Sequence, residues 1–154
     1  MILFMGADHA GYALKEFLKN HLAQEGYEIV DVGVYSEEAA DYPDIAHTLT
    51  ARLVRETRPA LGILICGTGI GMSIAANKRS GVRAANASEP VSAALAREHN
   101  NANILCLGAR VVGPELARAT VEAFLRTGFS AEDRHQRRVQ KLELAGGETQ
   151  SRTD

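Results

Sequence analysis

Neither sign of charge dominates this sequence: 17 Lys and Arg stand against 19 Asp and Glu in 154 residues, a formal net charge of -2 with His neutral. A chain so evenly balanced has no global attraction for nucleic acid or a membrane surface, so any anion site must be local. Cysteine is scarce. Cys66 and Cys106 both lie inside apolar runs of a chain with no export signal, which excludes a structural disulfide and leaves two free thiols expected. Long apolar runs are missing as well. The opening "MILFMGADHAG" has no basic segment and soon reaches Asp8, so it suits neither a signal peptide nor a membrane span, and a cytoplasmic protein is expected. Without secretion, the "NAS" at residues 86–88 matches a glycosylation acceptor only formally. No internal repeat or interdomain linker is visible. The length suits one domain, expected over residues 1–144, with a polar and disordered tail over 145–154.

What is present alternates between short apolar runs and segments of helical period. Strands are expected over residues 2–5, 28–32, 61–66, 82–85 and 103–107, each hydrophobic on both sides, as when helices cover both faces of a parallel sheet. Leu14, Phe17, Leu18 and Leu22 recur at helical spacing before Gly26, with Lys15, Glu16, Lys19 and Asn20 facing elsewhere. Pro43 can open a helix carrying Ile45, Leu49 and Leu53, and Pro59 closes the segment. Ser88, Glu89 and Pro90 start another helix, Gly113 and Pro114 one more, and residues 134–144 form the last. This order predicts a three-layer α/β/α Rossmann-like domain with a five-stranded, doubly wound parallel sheet and a C-terminal helix. Ligands of such sheets bind beyond the carboxyl ends of the strands, usually between the first and third. Here those ends are "GADHAG" and "CGTGIG".

The stretch "LGILICGTGIGMSIAANK" ends an aliphatic strand at Cys66 and then places Gly67, Gly69 and Gly71 at alternate positions. It is not a P-loop, because Met72 and Ser73 stand where Gly and Lys are required, and a GxGxxG fingerprint anchored on Gly67 also fails at Met72. What remains is a strand-to-helix turn whose backbone N–H groups can approach a phosphate, a carboxylate or an enediolate oxygen. Cys66 sits near the start of the following helix, where a thiol of reference pKa about 8.5 can serve as a base near neutral pH. The residues alone leave that reading standing beside a small buried hydrophobe, the reading that suits Cys106.

Asp8 can accept a sugar hydroxyl or cap the next helix, and His9 can donate to an anion. His21 and His47 fall within helix patterns and read as surface or half-buried residues. His99, in "REHNNAN", ends a helix before the fifth strand, at the rim where active-site residues gather. In "DRHQRRV", Arg134 and Arg138 lie four apart on one helix face and can clamp a phosphate dianion, or form a solvated basic face. Asp41, Asp44 and His47 share a segment, but their spacing is not diagnostic of a metal site, and Pro43 with a helix start explains the two acids.

Taken together, "GADHAGYALK", "DYPDIA", "CGTGIGMSIAANK", "SEP", "EHNNAN", "GARVVG" and "RHQRRV" resemble the ribose-5-phosphate isomerase B family, which includes allose- and galactose-6-phosphate isomerases. The resemblance implies a homodimer with active sites at the subunit interface and aldose-ketose isomerisation without metal or cofactor, in the pentose phosphate pathway. It implies Cys66 as the base, His99 as the residue that assists ring opening, and Thr68 orienting hydroxyls. Gly67, Gly69 and Gly71 would supply amides to the enediolate, Asp8 and Tyr42 would contact the sugar, and His9, Arg134 and Arg138 would hold the phosphate. Asn100 and Arg110 would complete the site. A second branch of that family replaces the cysteine and uses a glutamate six residues later; that position here is Met72. The ligand implied is a sugar phosphate, with allose 6-phosphate or another hexose 6-phosphate as the alternative substrate. A phosphate-binding module without chemistry, or a protein docking through its basic helix, is the non-enzymatic alternative. Nucleic acid and membrane are not expected partners.

Overall fold

Strand β1 (Ile2–Ala7) is buried along its whole length, and its side chains alternate between two cores. A computed structural model of the chain describes residues 1–130 and 132–145. The elements that follow β1 are a single 3₁₀ turn (His9–Gly11), α1 (Tyr12–Gln24), β2 (Glu28–Asp31), α2 (Tyr42–Leu53), β3 (Ala60–Cys66) and α3 (Ile70–Ala76). Then come β4 (Ala84–Asn86), α4 (Pro90–Asn100), β5 (Ile104–Gly108), α5 (Pro114–Arg126) and α6 (Asp133–Ala145). All described pairings are parallel, in the order β2-β1-β3-β5-β4.

Leu3, Met5, Ile63, Ile65, Leu105 and Leu107 face one way, against Leu14, Leu18 and Leu22 of α1, Ala93 of α4 and Val121 and Phe124 of α5. Ile2, Phe4, Leu64, Cys66, Ile104 and Cys106 face the other, against Ala46 and Leu49 of α2 and Met72 and Ala76 of α3. The period of two in the strands thus builds the three expected layers. Helix starts follow the expected chemistry. Pro43, Pro90 and Pro114 each stand in a first turn, and the Glu89 carboxylate caps α4 by accepting from the amides of Val91 and Ser92.

Three expectations need correction. The edge strands β2 and β4 are only half-buried, because each has a neighbour on one side alone. Strand β4 begins at Ala84 rather than at Val82, since the Arg83 amide is taken by the Asn103 side chain before the ladder starts. Lys15 does not face solvent. Its side chain is 0% exposed, and Nζ donates to both oxygens of Asp31 at 2.7 and 2.8 Å and to the Val34 carbonyl at 2.7 Å. The helical period places it at the boundary of the apolar stripe, and a partner 16 residues away turns it inward.

Of the tail expected over residues 145–154, only Ala145 is described, as the last residue of α6; the rest lies outside the described residues. No helix among the described residues is long and apolar enough to cross a membrane.

Candidate active site

The sheet reverses its order between β1 and β3, and the two polar turns meet there. The β1–β3 register ends with Ala7 opposite Ile65, which carries Asp8 alongside Cys66. The Asp8 amide donates to the Ile65 carbonyl at 3.1 Å. On the other flank Cys66 is opposite Gly108, and the amides of Ala109 and Arg110 donate to the carbonyls of Cys66 and Gly67 at 2.8 and 3.0 Å. The ends of β1 and β5 therefore hold Cys66 from both sides.

Asp8 takes the capping role its sequence context allowed. It is buried and caps the 3₁₀ turn, Oδ1 accepting from the Gly11 amide at 3.0 Å. His9 is exposed at the rim, where its Nδ1 accepts from the Ala40 amide at 3.4 Å.

The turn after Cys66 is shaped by its neighbours. Gly69 has φ +78, a left-handed conformation, and a Cβ there would stand 2.4 Å from Oδ1 of Asn86. Gly71, in the first turn of α3, lies against the Tyr42 ring, where a Cβ would fall 2.7 Å from the ring. Arg110 lies along Gly67, its guanidinium 3.5 Å from where a Cβ would be. Tyr42 and Arg110 so bracket the loop from two sides.

The Gly69 amide donates to Cys66 Sγ at 3.1 Å, and the Ile70 amide to Thr68 Oγ1 at 3.3 Å. Of the three glycine amides expected to serve an anion, that of Gly69 is therefore already engaged. Gly71 and Met72, second and third in α3, carry N–H groups that have no acceptor within a helix. Asn86 is the residue that sequence reasoning missed: from the end of β4 its amide reaches the Thr68 carbonyl at 3.5 Å. Its signal was read only as part of a formal glycosylation triplet. Cys106 lies on the same face of the sheet, fully buried, and burial first and neighbouring Cys66 second push its thiol far above the ordinary cysteine range. It is a core residue.

His99, Asn100, Arg134 and Arg138 are elsewhere. A crossover helix runs against its strands, so the carboxyl end of α4 returns to the amino edge of the sheet, opposite Cys66. The hydrogen bonds locate it there: Arg83, just before β4, donates from Nε to the Asn101 carbonyl at 2.7 Å, and the Gly62 amide near the start of β3 donates to the Asn103 carbonyl at 2.9 Å. The expectation that His99 stands at the same rim as Cys66 is thus corrected for a single chain. What His99 meets is α6: its ring stacks on that of His135, centroids 4.4 Å apart and planes 5° from parallel. One chain therefore separates the expected residues into two groups, Cys66, Thr68 and the glycine turn at the carboxyl edge and His99, Asn100, Arg134 and Arg138 at the amino edge. Among the described residues no three His, Cys, Asp or Glu side chains converge on a metal position.

Comparison with known proteins accords with this geometry. A family described as Ribose/Galactose Isomerase matches residues 3–142. Ribose-5-phosphate isomerase B of Escherichia coli (strain K12) is 47% identical over 137 residues, 89% of this chain and 91% of its own. D-erythrulose-4-phosphate isomerase of Pectobacterium atrosepticum is 44% identical over 126 residues, 81% of this chain and 82% of its own. The crystal structure of ribose-5-phosphate isomerase B from Mycoplasma genitalium with bound ribulose-5-phosphate superposes with a TM-score of 0.91 at 41% identity, covering 96% of this chain and 97% of that one.

Proposed function

Because the chain belongs to the ribose/galactose isomerase family, we propose that it interconverts ribose 5-phosphate and ribulose 5-phosphate by proton transfer through an enediolate. The observation that carries the reading is Cys66, at the switch point of the sheet, with the Gly69 N–H on its sulfur and Asp8, Tyr42 and Arg110 around it. In the open-chain aldose the Cys66 thiolate removes the proton on C2, and electrons move onto the C1 oxygen to form the enediolate. The same proton returns to C1 while the hydroxyl proton on O2 leaves and O1 gains one, giving the ketose with no net redox change. Amides at the start of α3 and the Arg110 guanidinium oppose the charge on oxygen. Thr68 and Asp8 orient the hydroxyls. Met72, 0% exposed and packed in the core, offers no carboxylate in place of the thiol.

His99, Asn100, Arg134 and Arg138 enter from a second copy of the chain, since their own copy holds them at the far edge. The protein works as a homodimer in the cytoplasm, with His99 assisting ring opening and Arg134 and Arg138 taking the phosphate together with His9. Two observations support the dimer. The site is half-formed in one chain, and Ile70 and Ile74 on α3 with Val91 and Leu95 on α4 are 54%, 56%, 66% and 40% exposed beside the β4 edge. Each pair is spaced four apart and presents one face.

Turnover of ribose 5-phosphate, allose 6-phosphate and D-erythrulose 4-phosphate tests the proposal. Ribose 5-phosphate is expected to give the highest kcat/KM, and Cys66→Ala to abolish turnover while a sugar phosphate still binds. Failure to isomerise any of the three, or full activity in Cys66→Ala, rejects it.

A further inference from the structure

We propose that His135 is a positioning residue: it seats α6 on α4 by stacking on His99, and so holds His99, Arg134 and Arg138 as one preassembled unit. The inference rests on the isomerase reading above, because that reading makes those three residues functional. Among the described residues, little of α6 is buried. Of its described side chains only His135 is buried, at 4% exposure; Val139, one turn on, and Glu143 are half-buried, and Arg134, Gln136, Arg137, Arg138, Gln140, Lys141 and Leu142 are exposed. A helix with so narrow an apolar stripe does not dock by burial of area alone.

Two ties fix it. Near its amino end the imidazoles of His135 and His99 lie face to face at 4.4 Å. Near its carboxyl end Glu143 pairs with Arg83, the residue that also bonds the Asn101 carbonyl at the end of α4. The first tie sets the function. His99 is in the last turn of α4, and Arg134 and Arg138 flank His135 on α6. A shift of the stack therefore moves the ring-opening histidine and the phosphate arginines relative to each other, and misplacement on the scale of an ångström is enough to weaken catalysis strongly. Nε2 of His135 is buried with no hydrogen-bond partner among the described residues. The ring serves by its flat face rather than by that nitrogen, which distinguishes a platform from a substrate ligand.

The test compares His135→Ala and His135→Phe with the unmodified chain. Phenylalanine keeps a flat face and drops the unpartnered nitrogen; alanine removes the platform. With ribose 5-phosphate, His135→Ala is expected to lose about ten- to a hundredfold in kcat/KM, mainly through KM, and His135→Phe to remain within about threefold. Proton NMR supplies the structural signature. The His99 ring protons of the unmodified chain are expected upfield from ring current, to stay so in His135→Phe, and to return to ordinary values in His135→Ala. Unchanged kcat/KM in His135→Ala overturns the proposal, as does a His135→Phe protein no better than His135→Ala. Should His135→Ala not fold, His99 protons at ordinary shifts in the unmodified chain overturn it alone. An unmodified chain that isomerises nothing rejects the isomerase reading instead, and the NMR arm still decides the stack.

Discussion

Lys15 shows at the scale of one residue how the fold serves the site. Its ammonium is shut away from water and held by Asp31, with Glu16 at 3.3 Å and the Tyr12 and Tyr35 rings at 5.7 and 5.3 Å from Nζ to centroid. It also bonds the Val34 carbonyl, whose own amide bonds the Ala7 carbonyl at 2.7 Å. The segment after β2 is pinned in this way to the end of β1, next to Asp8. Removing Lys15 leaves Asp31 with Lys19 and the Gly33 amide and leaves the Val34 carbonyl without its donor, so Lys15→Met is expected to lose about 1–3 kcal/mol of stability in urea unfolding. Asp31 shows the same pair from the other side. Burial would raise its carboxyl, but bonds from Lys15 and Lys19 and the Gly33 amide outweigh it and hold the group below the ordinary aspartate value. Because that value is depressed in the folded chain, the stability it contributes is present above about pH 4 and is lost as pH falls through the depressed value. None of this was legible in "GADHAGYALK", where helical spacing sends Lys15 outward; the partner that turns it inward is on another element. Cys66 was more legible, since an aliphatic run, a glycine turn and the strand-end rule are all local signals.

At the scale of elements, α6 carries a titratable ring in its packing face. The His135 ring is kept below the ordinary histidine value by burial first, then by His99 of α4 and by Arg134, against the opposing pull of Glu132, with Arg138 adding to the depression. The folded value lies below the unfolded one near 6.5, so the undocked ring binds more protons as the pH falls. Docking of α6 is therefore constant above about pH 6.5 and weakens below it. Limited trypsin digestion at pH 7.5 and at pH 5.5 is expected to show faster cleavage within α6 at the lower pH, once corrected for the protease's own profile, and His135→Phe to remove the difference. A difference that persists in His135→Phe would place the sensitive group elsewhere. The sequence located this helix and its arginines but assigned His135 nothing, because a ring stacked on another helix leaves no mark in spacing. It also sent His99 to the wrong edge. That error is topological: the position was read from the loop's polarity and not from the direction of the helix that carries it.

For the whole molecule, layers, strand number and switch point followed from periodicity and connection rules, which act along the chain. The separation of His99, Arg134 and Arg138 from Cys66 did not, because it depends on how elements run past one another in space. On the proposal that each site combines two copies, inactive Cys66→Ala and inactive His99→Ala chains complement each other. In a mixed dimer one site receives both intact residues and the other neither, so random re-association of equal amounts is expected to restore about a quarter of the original activity. No recovery on mixing would show that His99 and Cys66 act within one chain.

The two edges of one sheet also set a kinetic order. If each site combines two copies, as proposed, a copy that holds its thiol and its arginines at opposite edges of its sheet cannot close on its own substrate, whatever its concentration. On that proposal a chain leaving the ribosome is complete in fold and silent in chemistry until it meets another, and the first appearance of activity after synthesis grows with the square of the amount of protein made.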